Sequence, residues 1–273
     1  MRFPGAPRVV ITGAGSGLGR ALALEFARRG GRVLVSDVNL AGAEETASLV
    51  RTAGGEAHVQ ACDVSQVAQV EACASEVEHR WGGVDILVNN AGVASGGRVG
   101  EVSLAEWERA IRINLWGAIH GCHVFVPRMR RARAGWILNV ASAAGFAALP
   151  EMATYNVTKA AVISLSETLH AELRPHGIHV SVLCPTFFPT NLHTSLAAAD
   201  ERTRKLTEAL FRRARSTAEE VAREGVRGLE KGKLHILPQA DGRWLWLAKR
   251  LLPGLYARTV GRHHDRFTSN LLK

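Results

Sequence analysis

Short, continuously apolar runs alternate with longer stretches of helical period along most of the chain. Arg8–Thr12 reads as a strand and Gly17–Arg29 as a helix; Arg32–Ser36 and a helix from about Ala41 to Ala53 follow. Ala57–Ala61 and Gln66–Trp81 repeat the unit, then Val84–Val88 and a long helical pattern from Leu104 to about Arg131 that contains Pro127. Trp136–Val140, Thr154–Leu173 and His179–Leu183 complete the alternation, with one more short strand near Leu234–Leu237. Strands with apolar residues at successive positions have no solvent face, so both of their faces must be covered. Strand–helix alternation with short loops predicts an α/β fold: a doubly wound parallel sheet of about seven strands, built from right-handed crossovers. No linker, repeat or low-complexity stretch divides the chain. One domain is predicted over residues 1–240, including a flap at about 186–216, followed by a helical extension over 241–273.

Composition narrows this picture. Of 273 residues, 47% are hydrophobic and 22% charged, which excludes disordered and fibrous classes. The formal net charge is +9, but it is unevenly placed. Residues 1–199 hold 17 Lys and Arg against 16 Asp and Glu, whereas residues 200–273 hold 17 against 9. The predicted core is therefore nearly neutral, and no recognised motif or basic–aromatic platform for nucleic acid is present. The arginines at 128, 130, 131 and 133 follow the long helix, where they complement its dipole. Cys62, Cys73, Cys122 and Cys184 form no CxxC pair, and no Cys/His grouping has zinc spacing, so buried thiols and no metal are expected. The N-terminal MRFPGAPRVVIT lacks the apolar centre of a signal peptide, and no apolar run is long enough to span a bilayer. The expected setting is the reducing cytoplasm.

Candidate chemistry begins where the first strand runs into Thr12–Gly19, TGAGSGLG, and directly into a helix. Gly13, Gly17 and Gly19 fit TGxxxGxG rather than GxGxxG. Glycines there permit a tight turn and close backbone approach to a pyrophosphate, and the helix N-terminus supplies amide donors. Ser16, Gly17, Leu18 and Gly19 are the corresponding binding positions. Asp37 ends the second strand, where an acid accepts from adenosine ribose hydroxyls and repels an added phosphate. Val38 and Asn39 follow it, with no Arg or Lys ready for such a phosphate, so NAD is expected over NADP. The alternative reading of Asp37 is a cap for the next helix.

Tyr155 and Lys159 form YxxxK on one face of a helical pattern. A neighbouring ammonium favours phenolate, so a lowered Tyr155 pKa is expected, suited to moving a proton at a substrate oxygen. Ser142 lies at the end of the strand Trp136–Val140, and Asn89, Asn90, Ala91 and Gly92 close the strand Val84–Val88; such carboxyl edges are where sites form in open α/β sheets.

With TGAGSGLG, Cys62-Asp63-Val64, NNAG, Asn114, Ser142, Tyr155, Lys159 and the Pro185–Thr190 segment in order and spacing, the chain resembles the short-chain dehydrogenase/reductase family over about residues 8–195. The resemblance implies a Rossmann-type domain and a hydride passed between nicotinamide and a carbinol or carbonyl carbon. It implies Tyr155 as general acid/base and Lys159 as holder of the nicotinamide ribose and modulator of Tyr155. Ser142 would bond the substrate oxygen, and Asn114 would anchor a water of the proton relay. It places Asp63 and Val64 at the adenine, Asn90, Ala91 and Gly92 in the cofactor groove, Pro185 beside it, and Thr190 on the carboxamide. A dimer through the helices around Asn114 and Tyr155 is the family expectation; the long C-terminal extension departs from the usual tetramer-forming pattern.

The family's Pro-Gly is here Pro185-Thr186, followed by Phe187 and Phe188. Together with Phe146 and Leu149 after Ser142, and Leu192 and Leu196 on the flap, they suggest a lipophilic secondary alcohol or ketone; the alternative is that they pack on one another. Two other functions remain open: an NADPH-dependent reductase of carrier-bound 3-oxoacyl groups, against which Asp37 argues, and a non-catalytic nucleotide sensor, which has no need of Tyr155 and Lys159. In residues 243–260, Trp244, Leu247, Ala248, Leu251, Leu252 and Leu255 form an apolar helical face interrupted by Pro253-Gly254. Packing at the substrate cleft or a subunit contact, a peripheral membrane contact with anionic lipid, and a mobile tail are the three readings of that segment.

Overall fold

A computed structural model of the chain describes residues 2–189, 197–198, 201–212, 214, 216–260 and 262. Its centre is one parallel sheet of β1 (Arg8–Thr12), β2 (Arg32–Asp37), β3 (Glu56–Ala61), β4 (Ile86–Asn89), β5 (Gly135–Val140), β6 (Ile178–Leu183) and β7 (His235–Ile236). The spatial order is β3-β2-β1-β4-β5-β6-β7, so the winding reverses between β1 and β4. In the central strands, consecutive apolar residues serve opposite faces of the sheet. Val9, Ile11, Val33, Val35, Ile86 and Val88 join one core with Leu22 and Phe26; Val10, Leu34 and Leu87 join the other with Phe125 and Met129. Period-two alternation between two covered faces is why these strands read as unbroken apolar runs.

On the first face lie α1 (Gly17–Ala27), α2 (Leu40–Thr52) and α9 (Ala218–Glu230). A capping box between Thr217 and Glu220 starts α9, and Arg29 pairs with Glu230 at 3.1 Å where α9 meets α1. The second face is covered by α3 (Val67–Trp81), by a rod formed of α4 (Leu104–Ala110), a π-helical segment (Ile111–Trp116) and α5 (Gly117–Ala132), and by α7 (Ala153–Leu173). Pro127 does not end this rod; Arg128 bonds the Val124 carbonyl at 2.7 Å from its side chain. The short helix α6 (Ala144–Ala147), α8 (Glu201–Arg212) and α10 (Ala240–Leu251) complete the described elements named here. Ser95–Gly96, just after the NNAG turn, pairs in parallel with Ala197–Ala198. Residues 240–260 are helical apart from a break at Leu252 and dock on the α6 side.

Beneath the carboxyl edge runs a buried polar chain. Asn89 Nδ2 donates to Asn139 Oδ1 at 2.8 Å, Asn139 Nδ2 donates to Ser166 Oγ at 2.9 Å, and Ser166 Oγ donates to the Val162 carbonyl at 2.7 Å. Asn139 and Ser166 are wholly buried. The chain joins β4, β5 and α7, the elements that carry Asn90, Ser142 and Tyr155. Asn139→Ala removes a hydrogen bond from two buried partners at once and is expected to cost about 2–4 kcal/mol. Equilibrium urea unfolding measures it, and a loss below about 1 kcal/mol would show the chain to be dispensable.

Candidate active site

The carboxyl ends of β1, β2, β4 and β5, together with the start of α1 and one face of α7, enclose a cleft of about 430 Å³. It lies at the reversal of strand order, where a crevice opens between diverging loops. Gly13, Ser16, Gly17, Leu18 and Gly19 line its floor; Asp37, Asp63 and Val64 line one end; Asn90, Ala91, Gly92, Tyr155, Lys159 and Pro185 line the other parts. Thr190 lies outside the described residues.

The glycine turn is tightly built. Gly13 has φ +64°, and a Cβ there would lie 2.7 Å from Ala91 Cα; at Gly19 a Cβ would lie 2.1 Å from the Gly13 carbonyl oxygen. Asn90 Nδ2 donates to the Thr12 and Gly13 carbonyls, both at 2.9 Å, while the Asn90 and Ala91 amides donate to Thr12 Oγ1. The NNAG segment thus clamps the turn from β4. Ser16 caps no amide of α1 with its side chain, and the first turn carries no acid, so the positive end of the helix is open to an anion. This backbone cradle fits the pyrophosphate of a dinucleotide.

Asp37 is not the cap of α2. Asn39 is, its Oδ1 accepting from the Gly42 amide, whereas Asp37 accepts from the Gly15 amide and the Asn39 amide, both at 2.8 Å. The carboxylate is pinned between the glycine turn and the end of β2 and still lines the cleft.

On α7, Tyr155 and Lys159 face inward, one helical turn apart and both buried. Lys159 Nζ donates to the Val140 carbonyl at 2.9 Å and stands 5.6 Å from the centre of the Tyr155 ring. The expected lowering of the Tyr155 pKa is corrected in this cleft. Burial pushes the phenol up to about 12, and Ser142 pulls it back only in part. Burial also pushes the Lys159 ammonium down to about 8, so the cation expected to favour phenolate is itself disfavoured without solvent. Ser142 Oγ accepts from the Ala144 amide at 3.1 Å and donates to the Pro185 carbonyl at 3.3 Å, a long bond that a substrate oxygen can displace.

Asn114 sits in the π-helical segment, a distortion that recurs at functional sites. Its Oδ1 accepts from the Val93 amide at 2.8 Å; its Nδ2 donates to the Val93 carbonyl at 3.0 Å and to Thr158 Oγ1 at 3.2 Å. The side chain ties the loop after β4 to α7. Sequence reasoning missed Thr12 and Thr158 as the anchors of these two clamps. Thr12, the last residue of β1 before the glycine turn, carried a signal in its position at a strand's carboxyl end; Thr158 carried none.

Of the apolar residues assigned to the substrate, Phe188 lines the cleft. Phe146 packs beside Ala118, Val162 and Cys184, Leu149 gives its carbonyl to Asn156 Nδ2, and Phe187 is half-buried outside the cleft lining. Leu192 and Leu196 lie outside the described residues. All four cysteines are free and buried, and the described residues contain no group of three metal-ligating side chains.

A tight glycine turn at the switch point of a parallel sheet, with a buried Tyr–Lys pair lining the same cleft, is a Rossmann-type arrangement. Residues 7–201 match the short chain dehydrogenase family, and the chain belongs to it. It is 39% identical over 185 residues to EphD of Mycobacterium tuberculosis, named as an oxidoreductase, across 67% of this chain and 31% of that protein. The chain thus spans about a third of that relative's length. A short-chain dehydrogenase/reductase from Burkholderia phymatum, solved with NAD, superposes with TM-score 0.88 at 33% identity, covering 93% of this chain and 96% of that one. One from Sphingobium yanoikuyae, solved with NADPH, gives 0.77 at 28%, covering 92% and 95%.

Proposed function

We propose that this protein interconverts a secondary alcohol and a ketone with NAD(H), using Tyr155 as the general acid/base. The carrying observation is the buried Tyr155–Lys159 pair in the same cleft as the glycine turn and Asp37. When bound, the dinucleotide supplies or accepts the hydride. The chain's own residues do the rest. The high pKa of Tyr155 keeps a proton on its oxygen at neutral pH, ready for a carbonyl oxygen during reduction. Lys159 beside it stabilises the phenolate as the proton leaves. Ser142 Oγ leaves the Pro185 carbonyl to hold the substrate oxygen, and Asn114 keeps the loop after β4 in place against α7. Gly13–Gly19 hold the pyrophosphate, Asp37 the adenosine ribose, and Asp63 and Val64 the adenine.

Phe188 in the cleft supports a lipophilic substrate. Exposed Trp116 and Val157, on the helices that the family resemblance assigns to a dimer, support a homodimer. Dinucleotide-dependent absorbance change over a panel of hydrophobic ketones, their alcohols and short polyols, with NAD and NADP in parallel, tests the reading. NAD-linked turnover of the hydrophobic set is expected; preference for the polyols removes the lipophilic assignment, and turnover with NADP alone removes the role of Asp37.

The Asp37 carboxylate next to a second negative charge costs several kcal/mol, and each 1.4 kcal/mol is about tenfold in affinity. Asp37→Ser is therefore expected to narrow the preference for NAD over NADP by about tenfold or more, read from Kd values by fluorescence titration. An unchanged ratio would mean that Asp37 serves the glycine turn alone.

A further inference from the structure

The two helical stretches at 240–251 and 253–260 have one anchored side and one open side. On the anchored side, Thr186 Oγ1 donates to Asp241 Oδ1 at 3.0 Å and its amide donates to Gln239 Oε1 at 3.0 Å. Trp246 lies with its ring centre 5.8 Å from that of His235 and 4.6 Å from the Arg250 guanidinium carbon. Tyr256 Oη donates to the Ala147 carbonyl at 2.9 Å. Thr186 directly follows Pro185 and Ala147 ends α6, just after Ser142, so the extension is fixed beside the cleft.

The open side is apolar. Trp244 and Leu251 are each 72% exposed, and Leu247, Leu252 and Leu255 are between 41% and 60% exposed. A helix on a soluble surface turns such a stripe toward the core; this one turns it away, and among the described residues nothing covers it. Its rim is basic: Arg243, Arg250, Arg258 and Arg262 are exposed and Lys249 is half-buried. The single acid between residues 240 and 262 is Asp241, which is bonded to Thr186.

We propose that this face seats on the surface of an anionic phospholipid bilayer. Tryptophan and leucine in an apolar stripe flanked by arginines match the interfacial boundary, with the hydrocarbon groups below the headgroups and the guanidinium groups among their phosphates. A second copy of the chain fits poorly. A two-fold contact would bring these cations against their own counterparts, and the single acid among the described residues of this face, Asp241, is already bonded to Thr186. No described helix is long and apolar enough to cross a membrane, so the contact is peripheral. The assignment stands independently of the redox reading, because its test requires no turnover.

Flotation of the full chain with phosphatidylcholine vesicles, with and without phosphatidylglycerol, tests it. Binding is expected to be about tenfold or more tighter with phosphatidylglycerol, and to weaken as salt rises. Trp244→Glu and Leu251→Glu are each expected to lose about tenfold or more of that binding. Arg258→Gln, a milder change, is expected to reduce the preference for phosphatidylglycerol. Melting temperature and circular dichroism check that each variant is folded. A wild-type chain that stays with neither vesicle overturns the proposal, as does equal binding by wild type and a folded Leu251→Glu. A fall in oligomeric state on Leu251→Glu, measured by light scattering, would reassign the face to a self-contact.

Discussion

Tyr155→Phe is expected to lower turnover by about 10²–10⁴-fold while leaving dinucleotide affinity within about twofold of wild type, the loss assigned to a positioned acid or base. The substitution deletes one oxygen. The ring stays buried on α7, and Lys159 keeps its bond to the Val140 carbonyl. Single-turnover kinetics with a ketone, beside a fluorescence titration of the dinucleotide, separate the two quantities. Near-normal turnover would remove the proton-transfer role. The pKa directions add a sign. A phenol raised to about 12 holds its proton across the neutral range, so chemistry in the reducing direction should vary little between pH 6 and pH 8 on account of Tyr155. The oxidising direction needs the phenolate, which grows as pH rises, so its rate should climb through the same interval. Lys159, lowered to about 8, carries its charge below that value and loses it above, so support for the phenolate should weaken at the alkaline end.

Gly19→Ala is expected to have the second large effect, on binding rather than on proton transfer. The added methyl would lie 2.1 Å from the Gly13 carbonyl oxygen and 2.9 Å from Ala14 Cα, both backbone atoms held by the turn. Relief requires Gly13 to move, and with it the carbonyl that accepts from Asn90 Nδ2. The expected cost is about 3 kcal/mol of stability, or a melting temperature lower by roughly 6–12 °C. The cradle at the start of α1 would be displaced as well, raising the dinucleotide Kd by about 10²-fold or more. Melting curves with and without NAD report both effects, because a ligand that binds only the folded state shifts the midpoint in proportion to its affinity. A variant that keeps the wild-type shift would show that the turn does not hold the pyrophosphate.

Much of this architecture was legible along the chain. Six of the seven strands start within one residue of their apolar runs, and the alternation of Val9, Val10 and Ile11 between two cores explains why those runs are unbroken. β4 starts two residues late, at Ile86, next to Asp85, whose carboxylate pairs with the Arg8 guanidinium. The glycine turn, Asp37, NNAG, Tyr155 and Lys159 were legible for a different reason: each sits at a strand end or on one helical face, positions that local spacing sets. Asn114 was legible as a candidate residue. Its engagement with Val93 and Thr158 was not, since those partners lie 21 and 44 positions away.

The sequence by itself determined the sheet class, the glycine turn and the pairing of Tyr155 with Lys159, because period and i, i+4 spacing follow from backbone geometry alone. It also determined that Trp244, Leu247, Leu251 and Leu255 share a stripe. Only the tertiary structure decided that this stripe points outward, that Asn39 rather than Asp37 caps α2, and that burial raises the Tyr155 pKa against the pull of Ser142. Burial and desolvation depend on which distant segments close over a group, and nothing within a few residues of that group encodes it.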